Sequence, residues 1–196
     1  MTAGMLSSQM TPPAGEERRF EQWYDDGHIA HRLRLDGFSA ASRYWQAPDA
    51  DRAARHHLAI YELESLEALK NAEYNALKAD PGAETDYFLS HVSGFTRFTA
   101  ERIADMGDSA AHGQFLFAVA FAVPDEKADQ FDDWYDAEHA PLLLRASDWL
   151  RVHRYRVLNG DGGPWTHFAL HDSRRSMCCA RRSASAPARA RNGTPS

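Results

Sequence analysis

The sequence predicts an α+β fold in which a βαββαβ unit occurs twice and the two copies form one barrel within the chain. The first observation is a repeated nonapeptide, FEQWYDDGH at residues 20–28 and FDDWYDAEH at residues 131–139, in which five positions are identical. The second is an alternation of polar and apolar residues, typical of strands, in segments that follow both copies. Because two tryptophans recur in the same frame 111 residues apart, we interpret the chain as a tandem duplication.

The first copy, residues 1–104, contains every element of the unit. We expect a strand at residues 5–10, a helix that starts after Pro13 and ends near Gly27, strands at residues 38–46 and 55–63, a helix at residues 64–79 and a strand at about residues 95–103. Proline favours the first helical turn because its missing N–H is not needed there. Residues 105–112 are the predicted linker between the copies.

The second copy, residues 113–172, contains only βαββ. A strand is predicted at residues 114–123, where phenylalanines alternate with small alanines. The helix that follows should end before Pro141, because the residue ahead of a proline avoids the helical region. Strands are then expected at residues 149–157 and 165–172.

This order of elements is ferredoxin-like, and it leaves one face of each sheet free of helices. Two such faces can bury each other, which would give an eight-stranded barrel if both copies were complete. In the third strand of each copy, residues 55–63 and 165–172, an apolar stripe alternates with a stripe of histidine, alanine and tyrosine. We expect the apolar stripe, which comprises Leu58, Ile60, Phe168 and Leu170, to face the helices. The stripe of histidines and tyrosines should then face the space between the sheets.

The C-terminal residues 173–196 differ in composition from the rest of the chain. They contain six arginines and no acidic residue, and they show no apolar periodicity that would repeat the second helix of the first copy. We interpret them as a basic low-complexity tail that is either disordered or the product of a frameshift. A native basic tail that binds an acidic partner is the alternative.

Composition excludes several classes of function. The first 172 residues hold 16 basic and 28 acidic groups, a net charge of −12, which argues against nucleic acid or an anionic membrane as partner. No apolar run approaches the ~20 residues of a membrane span, and the N-terminus lacks the features of a secretory signal, so we expect a cytoplasmic protein. The sequence contains no GxGxxG, P-loop or GxSxG pattern and no metal-ligand spacing, so it predicts neither a cofactor nor a metal.

The repeated helix carries the first candidate site residues. Each copy places an aspartate three residues before a histidine, and an Asp–His couple is the usual arrangement of an orienting group and a proton-transfer base. The candidate catalytic residues are therefore His139 with Asp136 and, secondarily, His28 with Asp25. The alternative is that both histidines cap the end of the helix or form ion pairs there.

A second set of candidates is predicted to line a ligand pocket between the sheets. Buried polar groups need hydrogen-bond partners, and a ligand can supply them. The set comprises Tyr24, Tyr44, His57, Tyr61, Tyr135, His153, Tyr155, His167 and His171. A single strand histidine is more often a structural residue whose hydrogen bonds are satisfied within the protein.

The pattern F-x-x-W-Y-D-x-E-H-x-P, which residues 131–141 contain in full, resembles the EthD-like family of the dimeric α+β barrel superfamily. The first copy departs from the pattern at Gly27 and Ala30. The resemblance implies the barrel fold. By analogy with cofactor-free monooxygenases, isomerases and cyclases of that superfamily, it also implies a small aromatic or lactone-like ligand.

We therefore expect a small-molecule-binding barrel. If it is an enzyme, it would act without a cofactor, as an oxygenase, isomerase or cyclase that uses His/Asp proton transfer. The alternative is a non-catalytic ligand carrier or an assembly module, and whether two chains form a homodimer is left open. An open cavity between the sheets would favour the ligand-binding hypothesis, whereas an interior filled with aromatic side chains would favour the assembly hypothesis.

Overall fold

The computed structural model of the chain describes residues 2–47, 55–109, 111 and 113–175. The first half contains β1 (Gly4–Thr11), α1 (Glu17–Gln22), a π-helical segment (Trp23–Ile29), α2 (Ala30–Arg32), β2 (Phe38–Trp45), β3 (His57–Leu63), a 3-10 helix (Leu66–Lys70), α3 (Ala72–Ala79), α4 (Ala83–His91) and β4 (Ser93–Gly107). The second half contains β5 (Phe115–Phe121), a 3-10 turn (Asp125–Lys127), α5 (Ala128–Trp134), a π-helical segment (Tyr135–His139), α6 (Ala140–Leu143), β6 (Trp149–Asp161) and β7 (His167–Ser173). Most of the predicted tail, residues 176–196, lies outside the described residues.

The seven strands form one antiparallel sheet in the order β2-β3-β1-β4-β6-β7-β5. The order β2-β3-β1 in the first half corresponds to β6-β7-β5 in the second. The pairing of β4 with β6 joins the two halves. The predicted fold class, an α+β barrel within one chain, is therefore confirmed, and the described part of the second half contains three strands.

The repeated helix runs further than its sequence predicts. In the first half it continues past Gly27 to Arg32, and in the second half it continues past Pro141 to Leu143. Pro141 lies in the first turn of α6, directly after the π-helical segment. A change of helical hydrogen-bonding pattern at that point accommodates a residue without an N–H, because the continuous α-helical ladder is already interrupted.

Three other boundaries differ from the predictions. The expected helix at residues 64–79 is divided at Asn71, whose extended backbone ends the 3-10 helix and whose side chain accepts a hydrogen bond from the backbone N–H of Tyr74 at 2.7 Å. Helix α4, after Gly82, was not predicted. Strand β4 extends to Gly107, so Asp105, which we had placed in the linker, belongs to the strand.

The predicted orientation of the two stripes is wrong. Leu58, Ile60, Phe168 and Leu170 face the opposite half of the sheet, where Phe98 and Phe168 lie 5.1 Å apart between ring centroids. His57 and Tyr61 pack under the first helix, and His167 and His171 contact aromatic rings of the second half. Both faces of this sheet are covered, one by helices and one by the other half, so apolar character alone does not identify the helix side.

Among the described residues, no helix is both long and apolar enough to cross a membrane.

The helix-side core of the first half is centred on Phe20, Trp23 and Tyr24, whereas the corresponding core of the second half is smaller and is centred on Tyr135. The second half therefore buries its helix less completely than the first.

Candidate functional site

A cleft lies between the two half-sheets, near the centre of the sheet. It has a volume of about 360 Å³. Its wall is mainly apolar and includes Met5, Leu58, Ile60, Phe98, Ala118, Ala120, Phe168 and Leu170, with Ser7, Gln9 and Thr96 among its polar members. The small side chains of Ala118 and Ala120 leave room that the phenylalanines of β5 would fill if the strand faced the other way.

A polar compartment adjoins the cleft, and Ile60 and Leu170 line both spaces. The compartment is formed by Ser42, Tyr44, Glu62, Leu116, Arg151, His153, Tyr155 and Asp172. Three predicted ligand-binding residues, Tyr44, His153 and Tyr155, are therefore brought together between the sheets. The arrangement suits a molecule that is mostly apolar and carries a polar group at one end.

His153 and Asp172 form an Asp–His pair in this compartment. The His153 Nε2 lies 3.5 Å from the Asp172 Oδ2, and both side chains are buried. The Nδ1 of His153 is buried and makes no hydrogen bond among the described residues. An imidazole with one nitrogen next to a carboxylate and the other without a partner is suited to proton transfer.

Charged groups beside the polar compartment fix the position of β6 relative to β4. Arg151 donates two hydrogen bonds to Asp105, at 2.8 and 2.5 Å, and these bonds lower the pKa of the Asp105 carboxyl. Burial, with Glu62 nearby, raises the pKa of the Tyr155 hydroxyl. Burial also raises the pKa of Tyr44. Both phenols are therefore neutral near pH 7 and are available as hydrogen-bond donors.

In the first half, the other predicted residues lie under the helix rather than in the cleft. The His57 ring is fully buried, 5.1 Å from the Phe20 ring and 4.5 Å from the Tyr24 ring, and neither of its nitrogens has a hydrogen-bond partner among the described residues. Burial, and secondarily Arg43, lowers the pKa of His57 to about 3. The Tyr61 hydroxyl also lacks a hydrogen bond, and burial raises its pKa.

His28 completes this group at the end of the π-helical segment. Its ring lies 4.6 Å from the Trp23 ring and 4.7 Å from the Tyr24 ring, and its Nδ1 is buried without a partner among the described residues. Burial lowers the pKa of His28 well below its ordinary value. Tyr24 itself is better satisfied, because its hydroxyl lies 3.2 Å from the Ser8 hydroxyl.

In the second half, Tyr135 and His171 are hydrogen-bonded to each other, whereas the Nε2 of His167 is buried without a partner among the described residues. The Nδ1 of His171 donates to the carbonyl oxygen of Phe117 at 2.9 Å, so the Nε2 of the neutral ring accepts from the Tyr135 hydroxyl at 2.9 Å. Burial lowers the pKa of His171 and raises that of Tyr135 to about 12. Burial also lowers the pKa of His167, although Asp132 lies 3.6 Å away and opposes the shift.

The aspartates of the repeated helix do not orient the histidines. Asp25 pairs with Arg43 at 2.9 Å, and Asp136 pairs with Arg154 at 2.7 Å. His139 instead packs against the rings of Trp134 and Tyr135. The predicted Asp–His couple within the helix is therefore replaced by two Asp–Arg pairs, each with an arginine of the neighbouring strand.

Sequence reasoning missed Asp172, although a signal for it was present. Along β7, Asp172 lies on the same face as Phe168 and Leu170. Along β6, His153 lies on the same face as Tyr155. A correct assignment of the faces would therefore have predicted that His153 and Asp172 pair. The described residues contain no group of three or more histidine, cysteine or acidic side chains that could hold a metal ion.

No protein-family model matches the sequence, and the comparison with curated proteins finds no match. Among solved structures, an anthrone oxidase-like protein is 12% identical and superposes with a TM-score of 0.62 over 94% of this chain and 78% of its own. A "Putative monooxygenase" from Fusobacterium nucleatum is 10% identical, with a TM-score of 0.57 over 88% of this chain and 76% of its own. A protein of the same name from Lactobacillus acidophilus is 9% identical, with a TM-score of 0.54 over 89% and 78%. At these identities the similarity concerns the fold alone.

Proposed function

We propose that this protein binds a small, largely apolar aromatic or lactone-like metabolite in the cleft between the half-sheets. The observation that carries the proposal is the cleft itself. Its volume of about 360 Å³ lies within the ~300–1,000 Å³ of small-molecule sites, and its apolar wall ends at a buried polar group of residues. The cleft stays open although Phe98, Trp165 and Phe168 lie on its wall, which favours ligand binding over an assembly module.

We further infer that the polar compartment transfers a proton without a cofactor. The free Nδ1 of His153 takes a proton from a phenol or an activated carbon, and Asp172 stabilises the imidazolium that forms. Tyr155, kept neutral by burial, donates a hydrogen bond to the resulting anion. An isomerase, a cyclase or a dioxygen-dependent oxygenase could each start from this step. The likeness of residues 131–141 to the EthD-like family, and the folds of the structural neighbours, are consistent with such chemistry.

Binding is tested with 1-naphthol as the probe in isothermal titration calorimetry. Ala118→Phe fills the cleft, so we expect it to weaken binding by roughly tenfold or more, since a buried aromatic ring displaces most of the ligand. Ala137→Phe adds the same side chain on an exposed helical position and should leave binding unchanged. Equal affinities for the wild-type protein and the Ala118→Phe variant would contradict the proposed location.

Proton transfer is tested separately by solvent deuterium exchange at the activated carbon of a β,γ-unsaturated lactone, followed by NMR. His153→Ala and Asp172→Asn should each lower the exchange rate, by roughly 10²-fold or more for the histidine. His31→Ala, which removes an exposed histidine, is the control. Loss of exchange only in a His28→Ala, His139→Ala double variant would place the base on the helices instead. Binding of 1-naphthol without any exchange would identify a carrier.

A further inference from the structure

Strand β5 has one edge to which no described strand is hydrogen-bonded. Among the described strands it lies at the end of the sheet, and it pairs with β7. Its seven residues, FLFAVAF, include no charged residue and no proline, and the side chains of Phe115 and Phe117 are 39% and 46% exposed. Protein sheets usually protect a free edge with lysine, proline or a bulge, because an open edge pairs readily with another strand. Strand β2, at the other end, carries Arg43 and two serines.

The first half of the chain shows what covers the corresponding edge. Strand β1, the counterpart of β5, pairs on both sides, with β3 and with β4. Helix α4, which leads into β4, buries Trp23: the Phe88 ring stacks on the indole at 4.8 Å, and the indole N–H donates to the Thr85 hydroxyl at 3.3 Å. In the first half, the strand at this edge is therefore preceded by a helix that packs on the helix side of the sheet.

The second half lacks this cover in the described residues. Trp134, the counterpart of Trp23, is 44% exposed, whereas Trp23 is 5% exposed. Phe117 lies on the helix side of the sheet, near the rings of Trp149 and His171. Trp134 lies on the same side, where it contacts Phe131 next to Phe121 of β5. An occupant of this surface must supply an uncharged antiparallel strand and an aromatic helix next to it.

We propose that the occupant is a second copy of this chain, which pairs its own β5 with the free edge to form a dimer. The sheet of the dimer then continues from the seven described strands of one copy into those of the other. A twofold axis perpendicular to the sheet makes the two β5 strands antiparallel and keeps the helices of both copies on one face. With the axis at Ala118, Phe117 lies opposite the partner's Val119, and Phe115 lies opposite the partner's Phe121. No charged groups meet at this edge, and the partner's α5 takes the place that α4 occupies beside Trp23.

The proposal is tested with the full-length protein by analytical ultracentrifugation over a wide concentration range. The wild-type protein should sediment as a dimer of twice the 22.0 kDa of one chain. Phe117→Lys should raise the dissociation constant by roughly tenfold or more, because two like charges then lie close together at the edge. Leu158→Lys, a change at a 53% exposed position on the inner strand β6, should leave the dimer intact. A monomer at every concentration, or a Phe117→Lys dimer as tight as the wild type, would overturn the proposal.

Site-specific cross-linking gives a second measurement that does not depend on the stability of the lysine variant. In a Cys178→Ser, Cys179→Ser background, Ala118→Cys should form an intermolecular disulfide under mild oxidation, because the two positions face each other across the axis. Leu158→Cys should remain reduced under the same conditions. If the two variants cross-link equally fast, the chains meet by random collision and the β5 interface is excluded.

Discussion

Arg43 and Arg154 occupy corresponding places on the second strand of each half, and each pairs with the aspartate of the neighbouring helix. A guanidinium is always charged and offers several donors, so it competes for a carboxylate better than an imidazole whose charge is lost on burial. In the sequence, the dipeptide Arg-Tyr recurs at residues 43–44 and 154–155, at the same offset as the helix motif, so both partners of this pair were visible as repeated residues. The sequence therefore showed which residues are repeated, but it did not show which of them touch.

His57 gives a prediction about pH. Burial lowers its pKa from an ordinary value near 6.5 to about 3, so the unfolded chain binds a proton as the pH falls below 6.5 and the folded chain does not until about pH 3. The contribution of the neutral His57 to the free energy of unfolding is therefore fully present above pH 6.5 and is lost as the pH falls from there towards 3. This loss amounts to about 2 kcal/mol between pH 6.5 and pH 5, and His57→Leu should abolish it.

The measurement is urea unfolding of both proteins at about pH 7.5 and about pH 5. At the higher pH the variant should be more stable by about 1 kcal/mol, because a buried polar group without a hydrogen bond is replaced by an apolar one. His31→Leu, at an exposed histidine, serves as the control. An identical pH dependence in the wild type and the His57→Leu variant would mean that His57 is protonated or hydrogen-bonded in the folded state.

Among the elements, strands were easier to predict than their faces. Alternation along β3 and β7 placed both strands close to their observed bounds, since period-two patterning depends only on local sequence. The choice of face depends on what covers each side, and here both sides are covered. The side chains of Ala59 and Ala169 are the small positions that allow the helices to approach, and they share a face with the histidines.

Two glycines should respond in opposite ways to replacement by alanine. A Cβ at Gly160 of β6 would overlap the ring of Phe98 and lie 2.7 Å from the carbonyl oxygen of Arg97, both in β4. Gly160→Ala should therefore destabilise the protein by about 1–3 kcal/mol. A Cβ at Gly27 meets nothing within 4 Å, so Gly27→Ala should stabilise the helix by up to about 1 kcal/mol. Thermal unfolding of both variants checks the signs, and a loss of stability in Gly27→Ala would indicate that the π-helical segment requires glycine.

For the whole molecule, the internal repeat was sufficient to predict a barrel within one chain, because two sheets that each have a bare face must bury those faces. It was not sufficient to locate the cleft. The space arises from the contrast between large side chains, such as Ile60 and Phe168, and the alanines of β5, which meet only when the halves are folded together. His153 and Asp172 likewise lie on different strands and become a pair through the register of β6 and β7.

The two halves should unfold as one cooperative unit, because β4 pairs with strands of both and a shared core lies between them. Phe98→Ala removes a buried ring that contacts Phe168 across this core and should destabilise the protein by about 3–5 kcal/mol. Hydrogen exchange measured by mass spectrometry should then show the same increase in exchange rate for the amides of β3 and of β7. The control is Leu158→Ala, at an exposed position, which should leave both strands protected. If Phe98→Ala exposed β3 alone while β7 kept its protection, the halves would be independent units, and the cleft between them would not be held in a fixed shape.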